Sequence, residues 1–125
     1  MIGKKGSFLM RAVIVNKIEN NKLEIVNIPK PEPKVNEVRI KVICAGVNRP
    51  DILQRRGLYP PPPEASPRLG LEASGIIEKI GKNVKTLKEG DEVCGLTPGG
   101  AYADFVVLPA SHCMPIPKGL NFDEA

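Results

Sequence analysis

Hydrophobic and polar residues alternate along several short stretches of the chain. The clearest stretch covers residues 38–44, where every second position is apolar: Val38, Ile40, Val42 and Cys44. This period of two is typical of a strand that buries one face, with Arg39 and Lys41 on the opposite face. Shorter patterns predict strands at residues 10–15, 23–26, 74–80, 92–96, 101–108 and 113–116. Many short strands at this spacing indicate a mainly β domain, built as a barrel or a sandwich.

Proline and glycine mark the connections between these strands. Pro29, Pro31 and Pro33 donate no ladder hydrogen bonds, so regular strand pairing is not expected again before Val35. Turns are predicted where glycine occurs between strands, at residues 81–83, 89–91 and 98–100. The four prolines at positions 60–63 predict a rigid, exposed polyproline II loop.

Two segments carry the sequence signals of a helix. Residues 50–56 predict a helix of two turns, because proline is tolerated in the first turn and Gly57 can close the end. Asn121 followed by Glu124 has the spacing of a capping box, which predicts that another helix begins there. Since the sequence stops at Ala125, too early for a stable helix, the C-terminus is expected to be cut off.

Size and composition restrict the number of domains. At 125 residues the chain has room for one domain, and 42% hydrophobic and 26% charged residues are ordinary globular usage. The 13 prolines, the 12 glycines and the scarcity of aromatic residues favour a turn-rich β structure. Residues 1–9 show no periodicity and are expected to be an N-terminal extension, so the domain proper comprises residues 10–125.

The net charge of +4 does not indicate a nucleic-acid or membrane partner. Lysines recur at every third position from Lys79 to Lys88, but glycine and asparagine lie among them, so solvated turns are favoured over an anion site. No stretch has the roughly 20 apolar residues of a spanning helix, and the start of the chain lacks a signal-peptide pattern. We therefore expect a cytoplasmic protein with no nucleic-acid or membrane partner.

Three cysteines and one histidine are the candidate soft metal ligands. Cys44, Cys94 and Cys113 are odd in number and widely spaced, unlike a disulfide framework or a paired zinc motif. His112 and Cys113 are adjacent, so on an extended chain their side chains point to opposite faces. Reduced core thiols and no metal site are the expected result.

Four motifs occur in order along the chain. They are CAGVNRPD at residues 44–51, GLYPPPP at 57–63, GLE at 70–72 and KEGDEV at 88–93. Together they resemble the zinc-independent quinone oxidoreductases of the zeta-crystallin type, within the medium-chain dehydrogenase/reductase family. The resemblance covers residues 10–125 and implies a GroES-like, partly open β-barrel with short helices. In the complete enzymes of this family, that domain packs against a Rossmann domain and forms the substrate side of a cleft.

The resemblance also implies roles for individual residues. Asn48 and Tyr59 would be the catalytic residues, placed to hydrogen-bond or stack near the nicotinamide or the quinone. Asn48 and Asp51 would lie against the cofactor, which the resemblance implies is NADPH. Zinc-dependent relatives place a cysteine where this chain has Asn48 and a histidine where it has Leu71, and neither replacement is a zinc ligand. A metal-free site suits acceptors that are already electrophilic, such as quinones or enones.

Each of these candidates also has a purely structural interpretation. Asn48 can hold a turn by bonding to neighbouring backbone, and Asp51 can favour the first turn of a helix through the helix dipole. Tyr59 can pack on the prolines that follow it. For Glu72, a buried and hydrogen-bonded carboxylate is favoured over a catalytic one.

The sequence has no glycine-rich nucleotide fingerprint between a strand and a helix. A Rossmann domain is therefore absent from these residues, and the chain alone is expected not to turn over NADPH. The first hypothesis is the substrate-side domain of an NAD(P)H-dependent quinone oxidoreductase acting on a quinone or enone. Two alternatives stay open. One is an interaction module recognised through residues 59–63, and the other is a folded remnant without activity, able to form a homodimer through the apolar surface that a Rossmann domain would cover.

Overall fold

A computed structural model describes residues 8–58 and 67–125. Within these residues the chain is mainly β, as predicted, with a single α-helix and a single 3₁₀ helix. The elements in chain order are β1 Leu9–Asn16, β2 Lys22–Pro29, β3 Glu37–Ala45, α1 Arg49–Arg55, β4 Glu72–Ile80, β5 Glu92–Leu96, β6 Phe105–Pro109, the 3₁₀ helix Ala110–His112 and β7 Cys113–Pro115.

The strands form two antiparallel sheets. β1 and β2 make a hairpin, and the other five strands make a sheet in the order β6-β3-β4-β5-β7. β6 and β7 are the two edges of this sheet, yet only the three residues of the 3₁₀ helix join them. A Cβ atom added to Gly95 of β5 would lie 2.8 Å from the Cδ1 atom of Leu108 in β6. The sheet is therefore curled so that its edges approach each other, which is the partly open barrel that the family resemblance implies.

The hydrophobic core fills the inside of this curl. Its largest fully buried side chains come from β3, β4, β5 and β6 and from the segment before β4: Val38, Ile40, Leu69, Ile77, Val93 and Leu108. In the sheet, Ile40 lies opposite Ile77 on one side and opposite Val106 on the other. These positions follow the period-two pattern of the sequence, because apolar side chains on one face of a strand are buried together.

The alternation in β3 is interrupted after Val42, which the sequence pattern does not show. Val42 pairs with Gly75, but Cys44 pairs with Ser74, so Ile43 is an extra residue in a β-bulge. Val42 and Ala45 both pack against the core. The prediction that Cys44 continues the core face is wrong, because one inserted residue reverses which side chains face inward.

Arg39 is a second departure from the simple pattern. It lies on the polar face of β3 but is only 7% exposed. Its guanidinium donates to Glu78 at 2.8 and 3.2 Å, to Glu32 at 2.9 Å and to the carbonyl of Pro31 at 3.1 Å. The proline-rich connector after β2 therefore covers this part of β3, and carboxylates compensate the buried charge.

Residues 101–104, predicted as the start of a strand, instead bridge the two sheets. The backbone N–H of Val13 donates to the carbonyl of Tyr102 at 2.9 Å. Asp104 accepts from the backbone N–H of Arg11 at 2.7 Å and from its guanidinium at 3.0 and 3.2 Å. Hydrogen bonding to the Arg11 side chain lowers the pKa of the Asp104 carboxyl group. The strand prediction fails here because hydrophobic alternation cannot distinguish pairing within one sheet from a crossing between two.

The two helix signals have different outcomes. α1 begins one residue before the predicted start, and Gly57 follows its end with a φ of 77°, as a helix-closing glycine should. At Asn121 and Glu124 the capping box forms, with both side chain to backbone distances at 3.0 Å. Only a single turn follows it. In the described part of the chain, no helix has the length and apolar character needed to cross a membrane.

The regularly spaced lysines are solvated, as predicted. The members of this set are all exposed: Lys79, Lys82, Lys85 and Lys88. Lys79 pairs with Glu32 at 2.6 Å, and Lys88 pairs with Asp91 at 2.8 Å. Lys79 and Lys88 therefore neutralise carboxylates of the protein itself.

Candidate functional site

The candidate site lies where β3 ends and α1 begins. After β3 the backbone N–H of Gly46 donates to the carbonyl of Glu72, the first residue of β4, at 3.3 Å. The chain then reaches Asn48, whose extended conformation (φ −124°, ψ 160°) directs it into α1. The predicted residues Asn48 and Asp51 are brought together here, whereas Tyr59 lies outside the described residues, as do the four prolines after it.

Asp51 is the buried centre of this junction, with 2% of its surface exposed. Its Oδ2 atom accepts a hydrogen bond from the backbone N–H of Asn48 at 3.0 Å and one from the hydroxyl of Tyr102 at 2.7 Å. Its Oδ1 atom has no hydrogen-bond partner among the described residues. The carboxylate therefore holds the backbone of Asn48 and the ring of Tyr102 in place from inside the fold.

Tyr102 is a site residue that sequence reasoning missed. Burial raises the pKa of the Tyr102 hydroxyl, and its hydrogen bond to Asp51 and the charges of Asp51 and Glu72 raise it further. Tyr102 is 51 residues from Asp51 along the chain. Nothing local to either residue indicates their contact, which results from the segment that bridges the two sheets.

Tyr102 should make the stability of the protein fall at alkaline pH. In the unfolded chain a tyrosine ionises near pH 10, whereas the raised pKa keeps Tyr102 neutral in the fold. The contribution of Tyr102 to the free energy of unfolding is fully present below pH 10 and is lost as the pH rises toward the pKa of Tyr102 in the folded protein. We expect the stability difference between wild type and Tyr102→Phe to be constant below about pH 9.5 and to shrink above about pH 10. Urea unfolding at several pH values measures it, and a constant difference up to pH 11 would contradict the burial of Tyr102.

The Glu72 side chain is exposed to solvent, so the favoured prediction of a buried carboxylate is wrong. The side chain crosses Gly46, where any Cβ atom would collide with the carboxylate. Glycine at position 46 therefore lets the Glu72 side chain pass close to the backbone. Glu72 is exposed because it points away from the core, next to a groove on the outer face of the sheet.

This groove has a volume of about 780 Å³. Its floor is a row of paired residues across four strands: Cys44 in β3, Ser74 in β4, Cys94 in β5 and Met114 in β7. The Ser74 hydroxyl donates to the carbonyl of Phe122, so the C-terminal residues form one wall. Leu96 and Met114, which are 62% and 57% exposed, form apolar parts of the rim. The groove has the size of a small-molecule site.

The three thiols have two different environments. All are free and half-buried, but only Cys113 packs against the core. Burial, and next the neighbouring Cys94, raise the pKa of Cys113 to about 11. The prediction of core thiols is therefore wrong for Cys44 and Cys94. The β-bulge turns Cys44 to the outer face, and Cys94 points there because it follows the fully buried Val93 in β5. Among the residues that the structure describes, no group of three or more histidine, cysteine and acidic side chains is arranged to hold a metal ion.

A curled five-stranded sheet that ends in this junction defines a GroES-like domain of the medium-chain dehydrogenase/reductase class. Residues 34–118 match the family described as the alcohol dehydrogenase GroES-like domain, and the chain belongs to this family. The family relationship implied by the four sequence motifs is therefore confirmed.

Similar proteins include both named enzymes and a vesicle protein. The chain is 39% identical over 98 residues to a synaptic vesicle membrane protein VAT-1 homolog of Danio rerio, covering 77% of this chain and 20% of the relative. It is 36% identical over 122 residues to the quinone oxidoreductase of Mus musculus. This match covers 94% of this chain and 36% of the relative. The crystal structure of a human VAT-1 homolog-like protein superposes with a TM-score of 0.81 at 32% identity, covering 94% of this chain and 38% of that one. The chain thus spans only about a fifth to two fifths of the length of these relatives.

Proposed function

We propose that the chain is the substrate-side domain of an NAD(P)H-dependent quinone oxidoreductase, which transfers hydride to a quinone or an enone without zinc. The observation that carries this proposal is the placement of Asn48, held at the end of β3 by the buried Asp51–Tyr102 pair. Similarity to the quinone oxidoreductase of Mus musculus supports it. A bound nicotinamide cofactor would supply the hydride.

Asn48 and Asp51 have distinct roles in this proposal. Asn48 is half-buried, so its carboxamide can hydrogen-bond to a carbonyl of the substrate or of the cofactor. Asp51 is buried and its Oδ2 atom already accepts two hydrogen bonds, so it supports the cofactor site by fixing the backbone of Asn48. A hydrogen-bond donor that is held in place before the substrate binds stabilises a developing oxyanion more than a mobile one. Tyr59 remains a predicted second catalytic residue.

The residues at the two relevant positions do not fit a zinc ion. Asn48 and Leu71 stand where zinc-dependent relatives have a cysteine and a histidine, and neither a carboxamide nor an isobutyl group replaces a thiolate or an imidazole. An acceptor in this site must therefore be electrophilic without the help of a metal. Quinones and enones meet this requirement, and alcohols do not.

We expect the purified chain alone to oxidise no NADPH in the presence of 2-methyl-1,4-naphthoquinone, because the residues that bind the nucleotide would lie in a companion Rossmann domain. Activity should appear when the part of the Mus musculus quinone oxidoreductase that follows its GroES-like domain is fused after Ala125. In this fusion protein, Asn48→Ala should lower kcat/KM on the order of 10²-fold. The measurement is the loss of NADPH absorbance.

Asn36→Ala is the matched control, since Asn36 is exposed and lies in the turn before β3. It should leave kcat/KM unchanged. Turnover by the unfused chain would contradict the need for a companion domain. A folded fusion protein without activity would instead support a remnant without catalytic function.

A further inference from the structure

The floor of the groove presents two thiols on the same row. Cys44 pairs with Ser74 and Ser74 pairs with Cys94, so the two cysteines are separated by two strand spacings, about 10 Å. This distance is too long for a disulfide, which requires Cα atoms within about 7 Å. The hydroxyl of Ser74 between them is engaged by the carbonyl of Phe122. Cys44 and Cys94 are therefore the free thiols of the groove.

The surroundings of these thiols are apolar and open. Ala45, Leu96, Met114 and Phe122 contribute to the lining. Its polar side chains include Glu72, Ser111, His112 and Asp123. A flat, apolar molecule would cover the floor between the exposed side chains of Leu96 and Met114. Such a molecule would lose contact with water on one face and would place its ring carbons beside a sulfur atom.

The geometry points to the groove as a binding and modification site for flat, apolar α,β-unsaturated carbonyl compounds, with Cys44 and Cys94 as the residues that become alkylated. The reaction needs no NADPH and is separate from hydride transfer at Asn48. It would make this face of the sheet a trap for the reactive carbonyl compounds that escape reduction.

The chemistry is complete without a further reactant. The thiolate sulfur of Cys44 or Cys94 attacks an unsubstituted ring carbon of a quinone, and a carbon–sulfur bond forms. The π electron pair moves to the carbonyl oxygen, which takes the proton that the thiol has lost. Transfer of the ring proton to the other oxygen leaves a hydroquinone thioether, so the quinone is reduced as the sulfur is alkylated.

Cys113 provides an internal comparison. It packs against the core from the opposite face of the sheet. Burial, and next the neighbouring Cys94, raise the pKa of Cys113, so a smaller fraction of this thiol is ionised at pH 7.5. It should react far more slowly than the two groove cysteines.

The test is a labelling experiment on the chain in its native state. The chain is mixed with increasing concentrations of 2-methyl-1,4-naphthoquinone at pH 7.5 without NADPH, and adducts are located by peptide mass spectrometry. We expect adducts at Cys44 and Cys94 before any at Cys113, with rates that reach a plateau as the quinone saturates the groove. In guanidinium chloride all three cysteines should react alike.

Iodoacetamide, which is small and polar, provides the control reagent. Met114→Gln, which adds no charge beside Cys94, should abolish the plateau with the quinone and leave the iodoacetamide rate unchanged, whereas Ile18→Gln, on the hairpin, should change neither. Rates that stay proportional to quinone concentration, or equal labelling of Cys113 in the native chain, would overturn the proposal. Protection of both groove thiols in a chain that sediments as a dimer would also overturn it, since a second copy would then occupy the groove.

Discussion

Replacing Ile77 with alanine is expected to lower the free energy of unfolding by about 3 kcal/mol. Ile77 is 1% exposed and lies opposite Ile40 at the centre of the curled sheet. The substitution removes buried apolar area and leaves a cavity that the surrounding β-ladder can fill only in part. Because the chain has no tryptophan, urea unfolding is best followed by far-UV circular dichroism.

Ile18→Ala is the matched control for this prediction, because the same side chain is 96% exposed at position 18. It should change the free energy of unfolding by no more than about 0.5 kcal/mol. If both variants lost the same stability, the assignment of Ile77 to the core would be wrong. If Ile77→Ala changed the dependence of the unfolding free energy on urea concentration, the substitution would also have altered the compactness of the denatured state.

The second large effect is expected at the junction. Asp51→Ala should cost about 2 kcal/mol of stability, since two hydrogen bonds to a charged acceptor are lost while one unpartnered buried oxygen is removed. It should also lower the pKa of Tyr102, because the acceptor of its hydroxyl hydrogen bond is gone. Absorbance at 295 nm during a pH titration reports the ionisation of Tyr102. Tyr59→Phe is introduced into both the wild type and the Asp51→Ala variant, so that Tyr102 is the only tyrosine left.

Asp123→Ala serves as the control for the aspartate substitution, since Asp123 is exposed at the wall of the groove. It should leave both the stability and the titration of Tyr102 unchanged. A Tyr102 titration that is the same with and without Asp51 would show that the two side chains do not interact in solution. In the active fusion protein, Asp51→Ala should lower kcat/KM less than Asn48→Ala does, because Asp51 acts through the backbone of Asn48.

The predicted β class and the residue composition of the core came from short-range patterns. β5 coincides with its predicted range, and β3 and β4 contain theirs, because period-two alternation is a property of consecutive residues. α1 was recognisable for a similar reason, from proline in its first turn and Gly57 after its end. The family motifs led from these elements to the GroES-like domain and to Asn48 and Asp51.

The contacts that build the candidate site could not be predicted from short-range sequence patterns. Tyr102 reaches Asp51 only because residues 101–104 leave the predicted strand and bridge to β1. Cys44 lies on the outer face only because Ile43 is inserted as a bulge, a change in pairing that depends on the register with β4. Arg39 is buried only because a connector folds over it.

The sequence by itself determined that this protein is a mainly β domain with a short helix after its third strand, and it identified the family through motifs of three to eight residues. These features depend on neighbours along the chain, where alternation, proline and glycine act directly. Only the tertiary structure decided that Tyr102 supports Asp51, that Glu72 is exposed and that Cys44 and Cys94 share a groove. Those facts depend on register and on the curl of the sheet, which are set by the simultaneous packing of residues far apart in the chain.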